Sequence, residues 1–143
     1  MIGYRVARDE DWAAVERLLL ACELPVDGAR AHFGSFIVAI DGDAVVGCVG
    51  AEVYGRDALL RSLAVRADRR GSGAGDALVA RLMEALRARG VRRVALLTTT
   101  AEAFFARREF VAVAREDVPE AVRASEEFRG ACPASAVAMV ISL

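Results

Sequence analysis

Residues 63 to 86 run from strand to glycine-rich turn to helix without a break. Leu63-Ala64-Val65 is an apolar strand end. The loop Arg66 to Arg69 leads into Arg70-Gly71-Ser72-Gly73-Ala74-Gly75, and Leu78, Leu82, Ala85 and Leu86 then recur at helical spacing. Alternating glycines at a helix start let successive backbone N–H groups converge on one point, where the helix dipole adds positive potential. The unit therefore demands an α/β architecture and suits a phosphate or pyrophosphate, with Arg69 and Arg70 beside it. A tight turn alone needs fewer glycines.

Two nucleotide readings fail on residues. A Walker loop needs Lys after its last Gly, and the chain has no Lys. A dinucleotide fingerprint follows the first strand and is answered by an acid at the end of the second. Here hairpin strands come first, and the strand after the helix ends in Leu97-Thr98-Thr99.

The flanking sequence supplies the other elements. Ile2 to Arg8 predicts a strand, and Asp9 a cap for a helix carrying Trp12, Val15, Leu18, Leu19 and Cys22 on one face. Leu24 to Gly28 opens a loop. Phe36 to Ile40 predicts a strand buried on both faces. Asp41-Gly42-Asp43 turns into a strand from Ala44 to Tyr54, which returns through Ala58 to Val65. Gly90 ends the long helix. Val94 to Leu97, Phe110 to Ala114 and Ser135 to Ile141 predict further strands. Thr99 and Glu102 have capping-box spacing for a short helix through Arg107, and Pro119 to Glu126 predicts another helix. The expectation is one α/β domain over residues 1–143, a mixed sheet of about seven strands with flanking helices.

Composition narrows the partners. The chain is 55% hydrophobic with a formal net charge of -1, which excludes a disordered tail and a global field for nucleic acid or an anionic membrane. Three scattered cysteines and the single His32 form no disulfide framework or zinc set, so no metal is expected. No signal peptide precedes the acidic run Asp9-Glu10-Asp11, and no apolar run approaches the ~20 residues of a membrane span. A cytoplasmic location is expected, and a homodimer is left open.

The segment Arg70-Gly71-Ser72-Gly73-Ala74-Gly75 fits (R/Q)xxGx(G/A), preceded by Leu63-Ala64-Val65. In this it resembles the acetyl-coenzyme A signature of the GCN5-related N-acetyltransferase (GNAT) superfamily, and the element order resembles that fold along the whole chain. The resemblance implies acetyl-CoA as co-substrate. It implies that Leu63, Ala64 and Val65 follow the pantetheine arm, that Arg70, Gly71, Ser72, Gly73, Ala74 and Gly75 cradle the pyrophosphate, and that Phe104 and Phe105 pack in the core and on the pantetheine. Leu97-Thr98-Thr99-Thr100-Ala101, Glu127-Phe128-Arg129 and Cys132-Pro133-Ala134-Ser135-Ala136 resemble the arsenic-resistance-associated subgroup. The Thr-rich helix start is also similar to the acetyltransferase domain of N-acetylglutamate synthases. Both imply a small amino-acid-like amine acceptor.

Amine acetylation needs a neutral nucleophile and a polarised thioester. Glu52 is the expected base, placed by strand alternation beside Val46, Cys48 and Gly50; the alternative is an exposed acid near a strand end. Arg61, sharing alternation with Leu63 and Val65, is expected to clamp an acceptor carboxylate or oxyanion, or to form a sheet-edge salt bridge. Thr98, Cys132 and Ser135 are further substrate-side candidates. Cys132 invites a covalent acetyl-thiol, arsenite binding, or a structural role. Where many GNAT relatives place a Tyr general acid this chain has Phe105, and where their xGF pattern has Gly it has Glu109. Tyr54, Ser135 and Cys132 are the candidate replacements for the acid. These departures keep two other functions open: an acyl-CoA-sensing module without catalysis, and a protein N-acetyltransferase.

Overall fold

A computed structural model describes all of residues 1–143. The elements in chain order are β1 (Ile2–Val6), α1 (Trp12–Ala21), β2 (Phe36–Asp41), β3 (Ala44–Tyr54), β4 (Asp57–Val65), α2 (Ala74–Ala88), β5 (Arg93–Thr98), α3 (Glu102–Ala106), β6 (Val111–Val113), α4 (Glu120–Arg123) and β7 (Val137–Ser142). The strands form one mixed seven-stranded sheet in the order β1-β2-β3-β4-β5-β7-β6. Its only parallel pair is β4–β5. α2 makes that crossover.

Both faces of the sheet are covered. On one, Leu78, Val79, Leu82 and Leu86 of α2 pack on Ile37, Ala39, Val49, Ala58 and Leu60. Each such side chain contributes about 1.5–3 kcal/mol on burial. On the other, Val15, Leu18 and Leu19 of α1 meet Val38, Cys48 and Ala64, and Val118 and Val122 meet Leu59, Ala95 and Ala138. Residues Phe36 to Ala39 are accordingly buried throughout.

Local chemistry decides the ends of the elements, and in places differs from the sequence expectation. The carboxylate that organises the start of α1 belongs to Asp11, not Asp9. It accepts the Arg8 N–H at 2.7 Å while Arg5 holds both its oxygens, which keeps the acid below its usual range. Before α3, the Thr98 hydroxyl accepts the Ala101 N–H at 2.9 Å and shapes the turn into the helix, whereas the cap expected from Thr99 does not form and Ala101 occupies the N-cap position. The helix expected from Pro119 to Glu126 is a single turn, followed by a wide turn over Glu127–Ala131. α2 ends as expected: Gly90 at φ 86 lets its own N–H reach Arg87 O and the Val91 N–H reach Leu86 O, a Schellman closure.

Glu109 does the same work after α3 at φ 72 without being glycine. A left-handed conformation disfavours an L-residue by roughly 1–2 kcal/mol, and glycine gives back about half of that in chain entropy. Glu109→Gly is therefore expected to stabilise the fold by about 0.5–1 kcal/mol in urea unfolding; no gain would mean that the turn is already relaxed.

Candidate active site

β4 and β5 pair only through Asp57–Leu59 and Arg93–Ala95. Beyond that, β4 stays with β3 and β5 with β7, so the two parallel strands splay apart. A cavity of about 140 Å³ fills the splay. Leu60 to Leu63 line one wall and Leu96 to Thr100 the other, with Phe105, Glu127 and Cys132 at its back and Glu23 to Pro25 at the rim.

A bulge in β4 decides what points where. Cys48 pairs with Ala64 but Gly50 with Arg61, so β4 carries one extra residue there, and Ser62 sits at φ 61. Strand alternation is reset across Ser62. Leu63 and Val65 pack with the α2 side, while Leu59 and Ala64 belong to the opposite face, and Arg61 meets Glu52 and Glu127. This corrects the alternation that put Arg61 beside Leu63 and Val65. A second irregularity, between Ala39 and Ile40 against β3, likewise separates Val46 from the face of Cys48 and Glu52.

A second cavity, of about 370 Å³, lies at the glycine turn. Val65, Arg69, Arg70, Gly71, Gly73, Ala74, Gly75, Phe104, Arg107 and Arg108 are among its walls. Gly71 at φ 82 and Gly73 at φ 86 face open space where a Cβ would project. This leaves room for an anion close to the backbone N–H groups that open α2. Arg69 pairs with Asp41 and Arg108 with Asp76; Arg70 folds back to Val65 O at 3.2 Å and Cys22 Sγ at 3.6 Å. The Arg108 guanidinium lies 3.4 Å from the centre of the Phe104 ring. Ser72 is exposed and outside this lining.

The two cavities are neighbours along β4: Leu63 borders the first and Val65 the second, and on α3 Phe105 borders the first and Phe104 the second. Thr98 and Cys132 border the splay cavity, whereas Ser135 is exposed and outside it, with Ala136 in the wall instead.

Behind the splay cavity lies a buried charge cluster. Arg61, whose side chain is fully buried, donates from Nη1 to Glu52 Oε2 at 2.5 Å, from Nε to Ser62 Oγ at 3.1 Å and from Nη2 to Pro25 O at 3.2 Å. Glu127 Oε2 lies 3.5 Å from Arg61 Nε. The other Glu52 oxygen accepts from the Tyr54 hydroxyl, and His32 Nε2 is 3.4 Å from it. A Cβ at Gly28 would be 3.2 Å from Arg61 Nη1 and 3.5 Å from Glu52 Oε2, so the loop after α1 roofs this pair. Glu52 is thus not an exposed acid. It is 1% exposed and does not border the cavity. Arg61 forms an ion pair in the middle of the sheet rather than at its edge.

Burial sets the proton affinities around the cluster. It raises the Glu127 carboxyl above its usual range, against the opposing pull of Arg61. The Cys132 thiol is pushed up to about 12 by burial and by the adjacent Glu127, to which it hydrogen-bonds. A thiol held that high is a hydrogen-bond donor, not an activated nucleophile. Burial and the bond to Glu52 likewise raise the Tyr54 phenol. Phe105 is buried edge-on between Phe104 and Phe110 and offers no proton to the cavity it borders. Glu127 has no assigned role in the sequence reading. Its only sequence signal is its place in Glu127-Phe128-Arg129, shortly before Cys132-Pro133.

Comparison with known proteins places the fold. The acetyltransferase (GNAT) family model matches residues 4–110. The chain belongs to this family. Solved structures superpose on nearly all of the chain. N-acetylglutamate synthase from Neisseria gonorrhoeae, complexed with coenzyme A and N-acetyl-glutamate, matches with a TM-score of 0.85 at 20% identity over 100% of this chain. The chain spans only 35% of that synthase. Rv2747 from Mycobacterium tuberculosis, in complex with CoA and NLQ, gives 0.83 at 26% identity over 99% of both chains. A GNAT-family acetyltransferase from Staphylococcus aureus Mu50 gives 0.83 at 14% identity, covering 100% of this chain and 99% of that one. No helix of the chain is long and apolar enough to cross a membrane.

Proposed function

We propose that this GNAT acetyltransferase transfers an acetyl group from acetyl-CoA to the primary amine of a small amino-acid-like acceptor, by direct attack in a ternary complex. The carrying observation is the continuity of the two cavities along β4. An elongated donor with its phosphates at Gly71–Gly75 and its arm along Leu63 and Val65 brings its thioester to the splay, where β4 and β5 are no longer paired beyond Leu59. Arg70, Arg107 and Phe104 flank the phosphate end, with Ala64 beneath the strand. Thr98 and Cys132 border the acceptor space, and the exposed Ser135 lies at its margin. Arg61 and Glu52 hold the β4 bulge in place from behind. The likeness of Cys132-Pro133-Ala134-Ser135-Ala136 to arsenic-resistance-associated enzymes supports an amino-acid-like toxin among the acceptors.

Thermal unfolding with acetyl-CoA, CoA, NAD and ATP tests the donor. A ligand at 100 times its Kd stabilises by about 2.7 kcal/mol, which for a chain of this size is roughly 5–10 °C. Shifts of that size with both CoA species, and none with NAD or ATP, are expected; no shift with either CoA species would sink the reading. Phe105 favours one other reading, an acyl-CoA-binding sensor without turnover. Acetyl-CoA consumption with any free amine rejects it, because a thiol leaving group has an ordinary pKa near 8.5 and can depart without the missing acid.

A further inference from the structure

Resting on the acetyltransferase reading, we infer that Glu127 takes the proton of the attacking ammonium group, and that acceptors are molecules presenting a small cation to this end of the splay cavity. Three observations carry it. Glu127 borders the cavity and Glu52 does not. Both Glu52 oxygens are committed, one to Arg61 and the other to Tyr54 and His32. The single cation of the cluster, Arg61, lies between two buried carboxylates, Glu52 and Glu127. One guanidinium cannot pair fully with both, and a bound ammonium group at the cavity wall supplies the second cation that an ionised Glu127 needs. An acceptor carboxylate at this same spot would instead add a third anion to the cluster.

The R-NH3+ acceptor gives one proton to the Glu127 carboxylate. The resulting amine forms a C–N bond to the thioester carbonyl carbon as the C–S bond breaks. The second amine proton leaves with the sulfur as CoA-SH, and the proton on Glu127 passes to solvent. Products are R-NH-CO-CH3, CoA-SH and one H+. The groups facing Glu127 are Arg61 of β4, Glu52 behind it, Cys132 with Arg115 nearby, and Glu23 at the rim. Burial already sets the Glu127 carboxyl above its usual range, the direction a base acting near neutrality requires.

The test follows CoA release from acetyl-CoA with the free proteinogenic L-amino acids as a panel, over pH 5–9, in wild type, Glu127→Gln, Glu127→Asp and Glu52→Gln. Glu127→Gln is expected to lower kcat/KM about 100-fold or more and to abolish the fall in rate on the acid side, with acetyl-CoA affinity unchanged by calorimetry. Glu127→Asp is expected to restore part of the rate with a displaced acid limb, and Glu52→Gln to keep the limb. Wild-type rate and limb in Glu127→Gln, or loss of the limb in Glu52→Gln alone, overturn the inference. A wild type inert toward every amine overturns the proposed activity instead. Glu127 is then judged by infrared titration of the CoA complex: the carboxyl band that Glu127→Gln removes must titrate above the ordinary glutamate range, and a band within that range refutes the assignment.

Discussion

Arg61→Met is expected to destabilise the fold by about 3–5 kcal/mol, a fall in Tm of roughly 10–15 °C. Methionine fills much of the volume of the arginine stem but offers nothing to Glu52 Oε2, Glu127 Oε2, Ser62 Oγ or Pro25 O. Two carboxylates then remain buried without a cation. This is the costly way to break an ion pair, in contrast to replacing the whole cluster by apolar groups. The deficit has a pH signature. With the guanidinium gone, Glu127 holds its proton in the folded chain over a wider range above its unfolded pKa. Below the unfolded pKa both states are protonated, and between the two values the folded state binds more protons. Stability therefore falls as pH rises through that window, and the variant is expected to be closer to wild type at pH 5 than at pH 8 in urea unfolding. Adding Glu127→Gln to Arg61→Met should recover part of the loss. A single variant within 1 kcal/mol of wild type, or a loss independent of pH, would show that water already solvates the cluster.

The same residues show what a linear sequence can and cannot disclose. Elements whose identity rests on periodicity are legible: the apolar run from Phe36 is a strand buried on both faces through Ala39, and Leu78, Leu82 and Leu86 face the sheet. The glycine turn was legible because its chemistry is written in consecutive backbone positions. The face of Arg61 was not. Alternation is a sound rule for an unbroken ladder, but Ser62 enters the left-handed region and inserts a residue, and serine carries no signal for that. The burial of Glu52 was not legible for a related reason: it depends on Gly28 and His32, which a long loop brings over the strand. Glu127 was missed because it lies in an irregular turn with no period to read, and it meets the cavity only through the divergence of β4 and β5.

Gly73→Val is expected to weaken both acetyl-CoA and CoA binding by roughly 10- to 100-fold while leaving α2 helical by circular dichroism. Gly73 precedes the first residue of α2 at φ 86, and nothing in the protein lies within 4 Å of the Cβ it lacks. A β-branched residue is poorly tolerated at that φ, so valine either strains the turn by about 1–2 kcal/mol or rotates the peptide out of line. In the first case its side chain projects into the space the pyrophosphate needs. In the second the N–H groups of the turn no longer converge. Both outcomes strike the phosphate end, so the loss should be equal for the acetylated and free thiol, and the thermal shift with either should shrink together. Ser72→Ala, one residue away but outside the cavity lining, is expected to change affinity less than twofold. An equal loss in both variants would mean that the turn binds through its flexibility rather than its geometry. No loss in Gly73→Val would remove the glycine turn from the donor site and leave Arg69, Arg70, Arg107 and Arg108 as the anchor for the phosphates.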